Sequence, residues 1–401
     1  SFANIEAERY FEKALKICEK PLQQASLTYA YAKSLHKQGQ SRYDESQQYY
    51  RQAIDLYAQF GDHERVAEIY QHLSWLLWDI DNLQAWEVCQ EALDRLKDAT
   101  DSVGYARLLA EAGRTAHFRK VSDQIIPLCR QAQEMADKFG DLEAHSDAGI
   151  TLAFYLDDPS DCIRQLKEIV EVTEAEGLLQ IASRAHVALG FFYNVLYIDC
   201  EAAYYHRYRA AELAKQFGDV QRILWAFVDV IEFYFSLGKL KDVENLISDF
   251  FMDSDVSQEA IEHVVEYAHC QLHDRMGYWE TYLDLYRPEV DRYRQGGSFQ
   301  EIAWGNYFLA NSQLELNRFD SLGDLSEAEE RMKENIDIGW LRYISYLLLV
   351  IVYARIDQFG KAKDILLEAE KHAYTIEDNG MVQARSSAEF ELAFAEKRWN
   401  D

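Results

Sequence analysis

The chain has 401 residues, with 41 lysines and arginines against 69 aspartates and glutamates, so its formal net charge is −28. Such an acidic surface repels phosphate groups, which argues against nucleic acid or an anionic membrane as a partner. Hydrophobic residues make up 48% of the chain, which excludes a disordered protein. The chain has only 4 prolines and 18 glycines, the residues that most often end helices. Composition therefore predicts long helices.

The first segment of the chain, Ala7 to Lys20, reads as the second helix of a helical hairpin without its first helix. Half a hairpin would leave its apolar face uncovered. We therefore expect the sequence to be a piece of a longer polypeptide or a processed chain. At the other end, residues 381–401 predict an unpaired helix that caps the chain.

A repeated tripeptide organises the chain between these ends. Phe-Gly-Asp occurs at Phe60-Gly61-Asp62, Phe139-Gly140-Asp141 and Phe217-Gly218-Asp219, and weaker breaks fall about midway between them and beyond. The spacing indicates a repeat of about forty residues. Each glycine suits a left-handed helix C-terminus, and each following aspartate suits the N-cap of the next helix.

Each period holds two predicted helices, and the second carries an apolar stripe, usually with small residues at its ends. Small residues also recur along the first helix from Arg107 to Ala116, which includes Gly113. They let neighbouring helices approach closely, and bulkier residues fill the gaps. The stripes are Ala7, Phe11, Ala14; Ala85, Cys89, Ala92; Ile125, Cys129, Ala132; Val243, Ile247, Phe250; and Ala362, Leu366, Ala369.

These features resemble tetratricopeptide (TPR) repeats, together with Leu189-Gly190-x-x-Tyr193 and Gly238 before Val243. The repeat period is longer than that of a usual TPR repeat. In this period, and in the segment from Tyr105 to Arg114, the chain is similar to the repeat arrays of MalT-like regulators. In those regulators the array adjoins a nucleotide-switched ATPase. The resemblance implies an all-α fold. It would be an α-solenoid of about nine to ten TPR-like helix hairpins, forming one right-handed superhelical array over residues 1–401. A non-repeating helical bundle is the alternative.

The resemblance also implies where a ligand would bind. In such arrays the first helices line a concave face that suits a peptide, a protein partner or a small effector. Transferring the inward positions onto this chain gives the candidate site residues Arg107, Arg114, His117, Phe118, Arg184, Phe191, Asn194, Trp225, Glu232, Trp304, Tyr307 and Asn311.

Two pairs among these residues predict specific contacts. Arg107 and Arg114 are seven residues apart and would share a helix face, where they could clamp a carboxylate or phosphate. The alternative is that each pairs with an acidic residue of the adjacent repeat. Trp225 and Trp304 occupy similar repeat positions and could anchor a partner, or simply pack between helices.

The sequence lacks the usual motifs of catalysis and of nucleotide binding, so we predict neither enzyme activity nor a cofactor. Glu266, His269 and His273 share one helical face, but no fourth ligand is visible and we predict no metal. The six cysteines form no CxxC pair. Cys89, Cys129 and Cys162 lie on apolar stripes, which indicates a reduced, cytoplasmic protein.

Two functions are compatible with these patterns. The first is a non-catalytic interaction and ligand-sensing domain of a multidomain signalling or transcriptional regulator. The alternative is a free-standing TPR scaffold or adaptor, or a peptide-pheromone receptor.

Overall fold

The computed structural model describes residues 2–39, 42–80, 82–119, 122–156, 158–193, 199–218, 220–236, 238–239, 242–252, 258–296, 339–371 and 379–396, with a few single positions between them. Over these residues it contains eighteen α-helices and no β-strand. None of the described helices is long and apolar enough to span a membrane. The chain divides into two compact units, Ser1–Val265 (unit 1) and Glu266–Asp401 (unit 2).

The helices follow one another with short connections wherever the connection is described. They are α1 Phe2–Ile17, α2 Pro21–His36, α3 Tyr43–Gln59, α4 His63–Trp78, α5 Asn82–Arg95, α6 Val103–Arg119, α7 Ser122–Phe139, α8 Leu142–Ala153, α9 Pro159–Ala175, α10 Leu179–Phe192, α11 Cys200–Phe217, α12 Val220–Ser236, α13 Val243–Phe251, α14 Gln258–Arg275, α15 Trp279–Gly296, α16 Gly339–Arg355, α17 Phe359–Glu370 and α18 Asn379–Ala395.

The predicted helix boundaries at the repeated tripeptide are confirmed where both residues are described. Gly61 and Gly140 have φ of +68° and +69°, the left-handed conformation that glycine adopts without strain. Asp62 accepts a hydrogen bond from the backbone N–H of Arg65, and Asp141 accepts one from that of Ala144. Each aspartate therefore caps the helix that follows it.

The helices pair into hairpins, and successive hairpins stack. In unit 1 the first helices α4, α6 and α8 each contact the next first helix, and α4, α6, α8 and α10 each pack against their own second helix. Many side-chain hydrogen bonds join residues 34 to 40 positions apart, such as Arg107 with Asp141 and Arg51 with Glu91. The predicted solenoid with a period of about forty residues is confirmed.

The apolar stripes form the core between the layers. Ala85, Cys89 and Ala92 are fully buried, as are Cys129 and Ala132 one repeat later. In unit 2, Leu347, Val350 and Tyr353 of α16 pack with the stripe of α17 and with Ala388 and Leu392 of α18, while Leu366 of that stripe is only half-buried.

Long-range contacts show that the stack of unit 1 curves. The Nζ atom of Lys37, which follows α2, lies 3.3 Å from the carbonyl oxygen of Phe217. Arg222 at the start of α12 lies 3.3 Å from Oδ1 of the buried Asp79, which follows α4. The later hairpins of a stack can contact its first hairpins only if the stack curves. Three of these four residues lie at the ends of first helices.

Candidate ligand-binding face

Polar side chains continue from one first helix to the next in unit 1. We call them the polar face. Its members come from α4, α6, α8 and α10 and from the N-cap of α8, and they are Glu68, Arg107, Asp141, Glu143, Asp147 and Arg184.

Arg107 is the centre of one ion-pair group on this face. Its guanidinium lies 2.7 Å from Oδ1 of Asp141 and 2.9 Å from Oε2 of Glu143, and its side chain is 28% exposed. Asp141 also caps α8. The same carboxylate therefore begins one helix and joins that helix to the preceding repeat.

Glu143 has an unusual protonation equilibrium for a residue in an ion pair. Burial of its carboxyl raises the pKa, Arg107 opposes this, and the carboxylates of Asp141, Asp147 and Glu68 raise it further. The net effect raises the pKa of Glu143 to about 7. One nearby guanidinium does not compensate the burial and crowding of several carboxylates.

Arg184 of α10 forms the next contact along the face. It donates hydrogen bonds to Asp147 through one guanidinium nitrogen and to the hydroxyl of Thr151, at 2.6 Å, through the other. The side chain of Asp147 is only 4% exposed, and that of Arg184 is 25% exposed. The predicted site residue Arg184 is thus a link between α8 and α10.

Arg114 is buried beneath this face. It forms two hydrogen bonds of 2.7 Å to Glu111, which also accepts from the hydroxyl of Ser74 and the indole N–H of Trp75. The Arg114 guanidinium lies 4.3 Å from the ring centroid of Trp78. This is a structural network that joins α4 to α6.

The positive patch expected from Arg107 and Arg114 does not form. Arg107 takes two carboxylate partners, Asp141 and Glu143, from the adjacent repeat, which is the alternative stated above. Arg114 instead pairs within its own helix, three residues from Glu111. The physical reason is the burial of Arg114, because an unpaired charge in the interior of a protein is strongly unfavourable.

Glu68 on α4 extends the polar face toward the first repeat. It accepts a 2.9 Å hydrogen bond from the hydroxyl of Tyr29 and pairs with Arg65. His72, one turn further along α4, lies 3.0 Å from the same hydroxyl. Burial lowers the pKa of His72 to about 4, so its ring is neutral at neutral pH.

Two other predicted residues, His117 and Phe191, gather at the carboxyl ends of α6 and α10. Nδ1 of His117 lies 2.7 Å from the hydroxyl of Tyr155, and its ring lies 5.1 Å from that of Phe154. Phe191 packs on the same Phe154 at 5.8 Å. The remaining candidates have no described side chain; they are Phe118, Asn194, Trp225, Glu232, Trp304, Tyr307 and Asn311.

The sequence interpretation missed the acidic members of the polar face. Their signal is the repeat period, since Asp141 and Asp147 lie 34 and 40 residues after Arg107, and Asp147 lies 37 before Arg184. Searching for opposite charges one period apart would have found them.

A groove lies among α7, α8 and α9, apart from the polar face. It is an open groove of about 590 Å³ whose apolar lining includes Ile126, Tyr155, Leu156, Ile169 and Val172. Within the described part of the chain, no three His, Cys, Asp or Glu side chains are arranged to hold a metal ion.

A pair of buried histidines joins α10 to α11. Nδ1 of His186 lies 2.8 Å from Nδ1 of His206, and Nε2 of His186 lies 3.3 Å from Oε1 of Glu174. The carboxylate can only accept, so the proton of His186 belongs on Nε2. Its Nδ1 then accepts a hydrogen bond from Nδ1–H of His206.

This arrangement predicts a loss of stability in acid. Burial, with His186 and Lys167 nearby, lowers the pKa of His206 to about 4, and burial also lowers that of His186. The unfolded chain therefore binds more protons than the folded one below about pH 6.5, and folding free energy is lost as pH falls toward 4. His206→Gln keeps a donor to His186 but does not titrate.

We expect the stability of His206→Gln, measured by urea unfolding, to fall less steeply with decreasing pH than that of the parent, by up to about 1.4 kcal/mol per pH unit. Comparing the two proteins at each pH cancels the contribution of the carboxylates. Parallel curves would show that His206 titrates normally.

Comparison with known proteins gives similarity in fold only. No protein-family model matches the chain, and no match is found among curated proteins. A Rap protein complexed with competence and sporulation factor is 11% identical, with a TM-score of 0.47, covering 96% of this chain and 99% of the other. Yeast Tom70 is 11% identical, with a TM-score of 0.48, covering 100% and 95%.

A signal-transduction ATPase with a TPR sensor, from Pyrococcus horikoshii, is 13% identical, with a TM-score of 0.44, covering 82% of this chain and 49% of the other. The solved structures similar to this chain thus include TPR-repeat proteins. At this level of identity none of them transfers a ligand or a partner to this chain.

Proposed function

We propose that this chain is a non-catalytic, TPR-like interaction and ligand-sensing domain of a larger regulator, which binds a peptide or a segment of a partner protein on the polar face of unit 1. The observation that carries the proposal is the continuity of that face. Ion pairs join charged side chains of α6, α8 and α10 across repeat boundaries, and Glu68 of α4 acts electrostatically on Arg107. Arg107, Glu143 and Arg184 are each 19% to 28% exposed.

Half-buried charges of this kind suit recognition. They are shielded enough for an ion pair or hydrogen bond to be stronger than in open water, yet a ligand can still reach them. An extended peptide along the inner side of the stack could contact several repeats at once.

The same contacts provide a physical route for sensing. Arg107 and Arg184 join α6 to α8 and α8 to α10, so they fix the relative placement of neighbouring hairpins. A ligand that takes over one of these partners would change the free energy of the repeat boundary. Such differential binding is what shifts a conformational equilibrium.

The test uses three pools of fluorescent peptides of about twelve residues, one cationic, one neutral and one anionic. We expect at least one pool to bind, as measured by fluorescence anisotropy. Hydrogen–deuterium exchange of the complex should then show protection in α4, α6, α8 and α10. Protection confined to α7 and α9 would place binding in the groove among α7, α8 and α9, and not on the polar face. Absence of binding by all three pools would contradict the proposal.

A further inference from the structure

The polar face has a local shortage of positive charge. Asp141, Glu143 and Asp147 of the α8 segment form ion pairs with two guanidinium groups, those of Arg107 and Arg184, while Arg114 acts on Asp147 only electrostatically. The nearby Glu68 has its own partner in Arg65, and Glu111 has its own in Arg114. Three carboxylates therefore share two cations in a largely buried place.

A second observation shows an acceptor left unused there. The side chain of Asp147 is 4% exposed, and its Oδ2 atom accepts no hydrogen bond from any described residue. Leaving a buried carboxylate oxygen without a donor is costly, so a donor brought to this atom would stabilise it. Glu143 and Asp147 are four residues apart, so they project from the same side of α8.

We propose that Glu143 and Asp147 receive a cationic group of the ligand, an ammonium or guanidinium such as that of a lysine or arginine side chain. The inference rests on the function proposed above and names the ligand chemistry at that site. A bound cation would balance the third carboxylate and could donate the hydrogen bond that Oδ2 of Asp147 lacks.

Protons compete with this cation. The charged groups acting on Glu143 are Arg107 of α6, Glu68 of α4, and Asp141 and Asp147 from its own segment. The second helices α7 and α9 contact α8 at other residues. Gln133 and Gln165 donate hydrogen bonds to the backbone carbonyls of His145 and Gly149, and Asp137 pairs with the His145 side chain. Because the pKa of Glu143 is raised to about 7, cation binding should strengthen as pH rises through neutrality.

The experiment compares two acetylated and amidated pentapeptides, Ala-Ala-Lys-Ala-Ala and the same peptide with glutamine in place of lysine, as competitors of the bound pool. We expect the lysine peptide to compete roughly tenfold better at about pH 8 and to lose much of that preference at about pH 6. Glu143→Gln and Asp147→Asn should each reduce the preference, while Glu171→Gln, an exposed carboxylate on α9, should keep it.

The outcomes separate the two proposals. Equal competition by both peptides, or a preference that survives both Glu143→Gln and Asp147→Asn, would overturn the cation site and leave the interaction function standing. Failure of every peptide pool to bind would overturn both. Thermal melting of each variant checks the fold, and Glu143→Gln should melt at or above the parent at pH 8, because it removes a buried charge.

Discussion

Glu111→Ala is expected to destabilise unit 1 by about 3–5 kcal/mol, because it leaves the buried guanidinium of Arg114 without its carboxylate. Glu111 is fully buried and accepts hydrogen bonds from Ser74, Trp75 and Arg114. Its removal therefore breaks the network between α4 and α6 and leaves several donors unsatisfied at once.

The loss of unfolding free energy is measured by urea unfolding followed by tryptophan fluorescence. Trp75 reports on this region because its indole N–H donates to Glu111. The double variant Glu111→Ala with Arg114→Ala should recover part of the loss, because no unpaired charge remains. Asp161→Ala is the control; it breaks the exposed ion pair with Arg164 on α9 and should cost less than about 1 kcal/mol. A similar small cost for Glu111→Ala would show that the network is solvated.

Gly113→Ala is expected to destabilise the same region by about 1–3 kcal/mol or more, through overpacking. A Cβ at this position would lie 2.3 Å from Sγ of Cys129, whose side chain is itself fully buried on α7. The sulfur has little room to move in a close-packed interior, so the two helices would have to separate.

The partner variant Cys129→Ala removes the clashing atom. We expect Gly113→Ala with Cys129→Ala to be more stable than the sum of the two single losses indicates. Gly360→Ala in α17 is the matched control, because its Cβ would meet nothing within 4 Å. That control should be neutral or stabilised by up to about 1 kcal/mol. Additive single effects would show that Gly113 is not in contact with Cys129.

Local features of the solenoid could be predicted because they depend on neighbours in sequence. The left-handed glycines Gly61 and Gly140, the capping aspartates after them, and the stripe of Cys89 are determined by backbone sterics, hydrogen bonding and helical periodicity. The small-residue pattern around Gly113 likewise indicated close helix approach. These signals recur every repeat, which reinforces them.

The candidate site was predicted less completely. That the first helices line a concave face stays a prediction. Arg184 joins α8 to α10, and the predicted positive patch became an acidic-rich ion-pair face. Helical periodicity places Arg107 and Arg114 on one side of α6. It does not determine how far each lies below the surface, which decides whether the group meets solvent, Glu111 or the next repeat.

By itself, the sequence determined the length of the repeat, the boundaries of its helices and the residues of its core, since each of these follows from short-range chain geometry. Only the tertiary structure decided the charge partners. The pairing of Arg107 with Glu143 depends on how α6 and α8 are rotated against each other. The contact of Asp79 with Arg222, 143 residues apart, depends on the accumulated curvature of every hairpin between them, which no local pattern records.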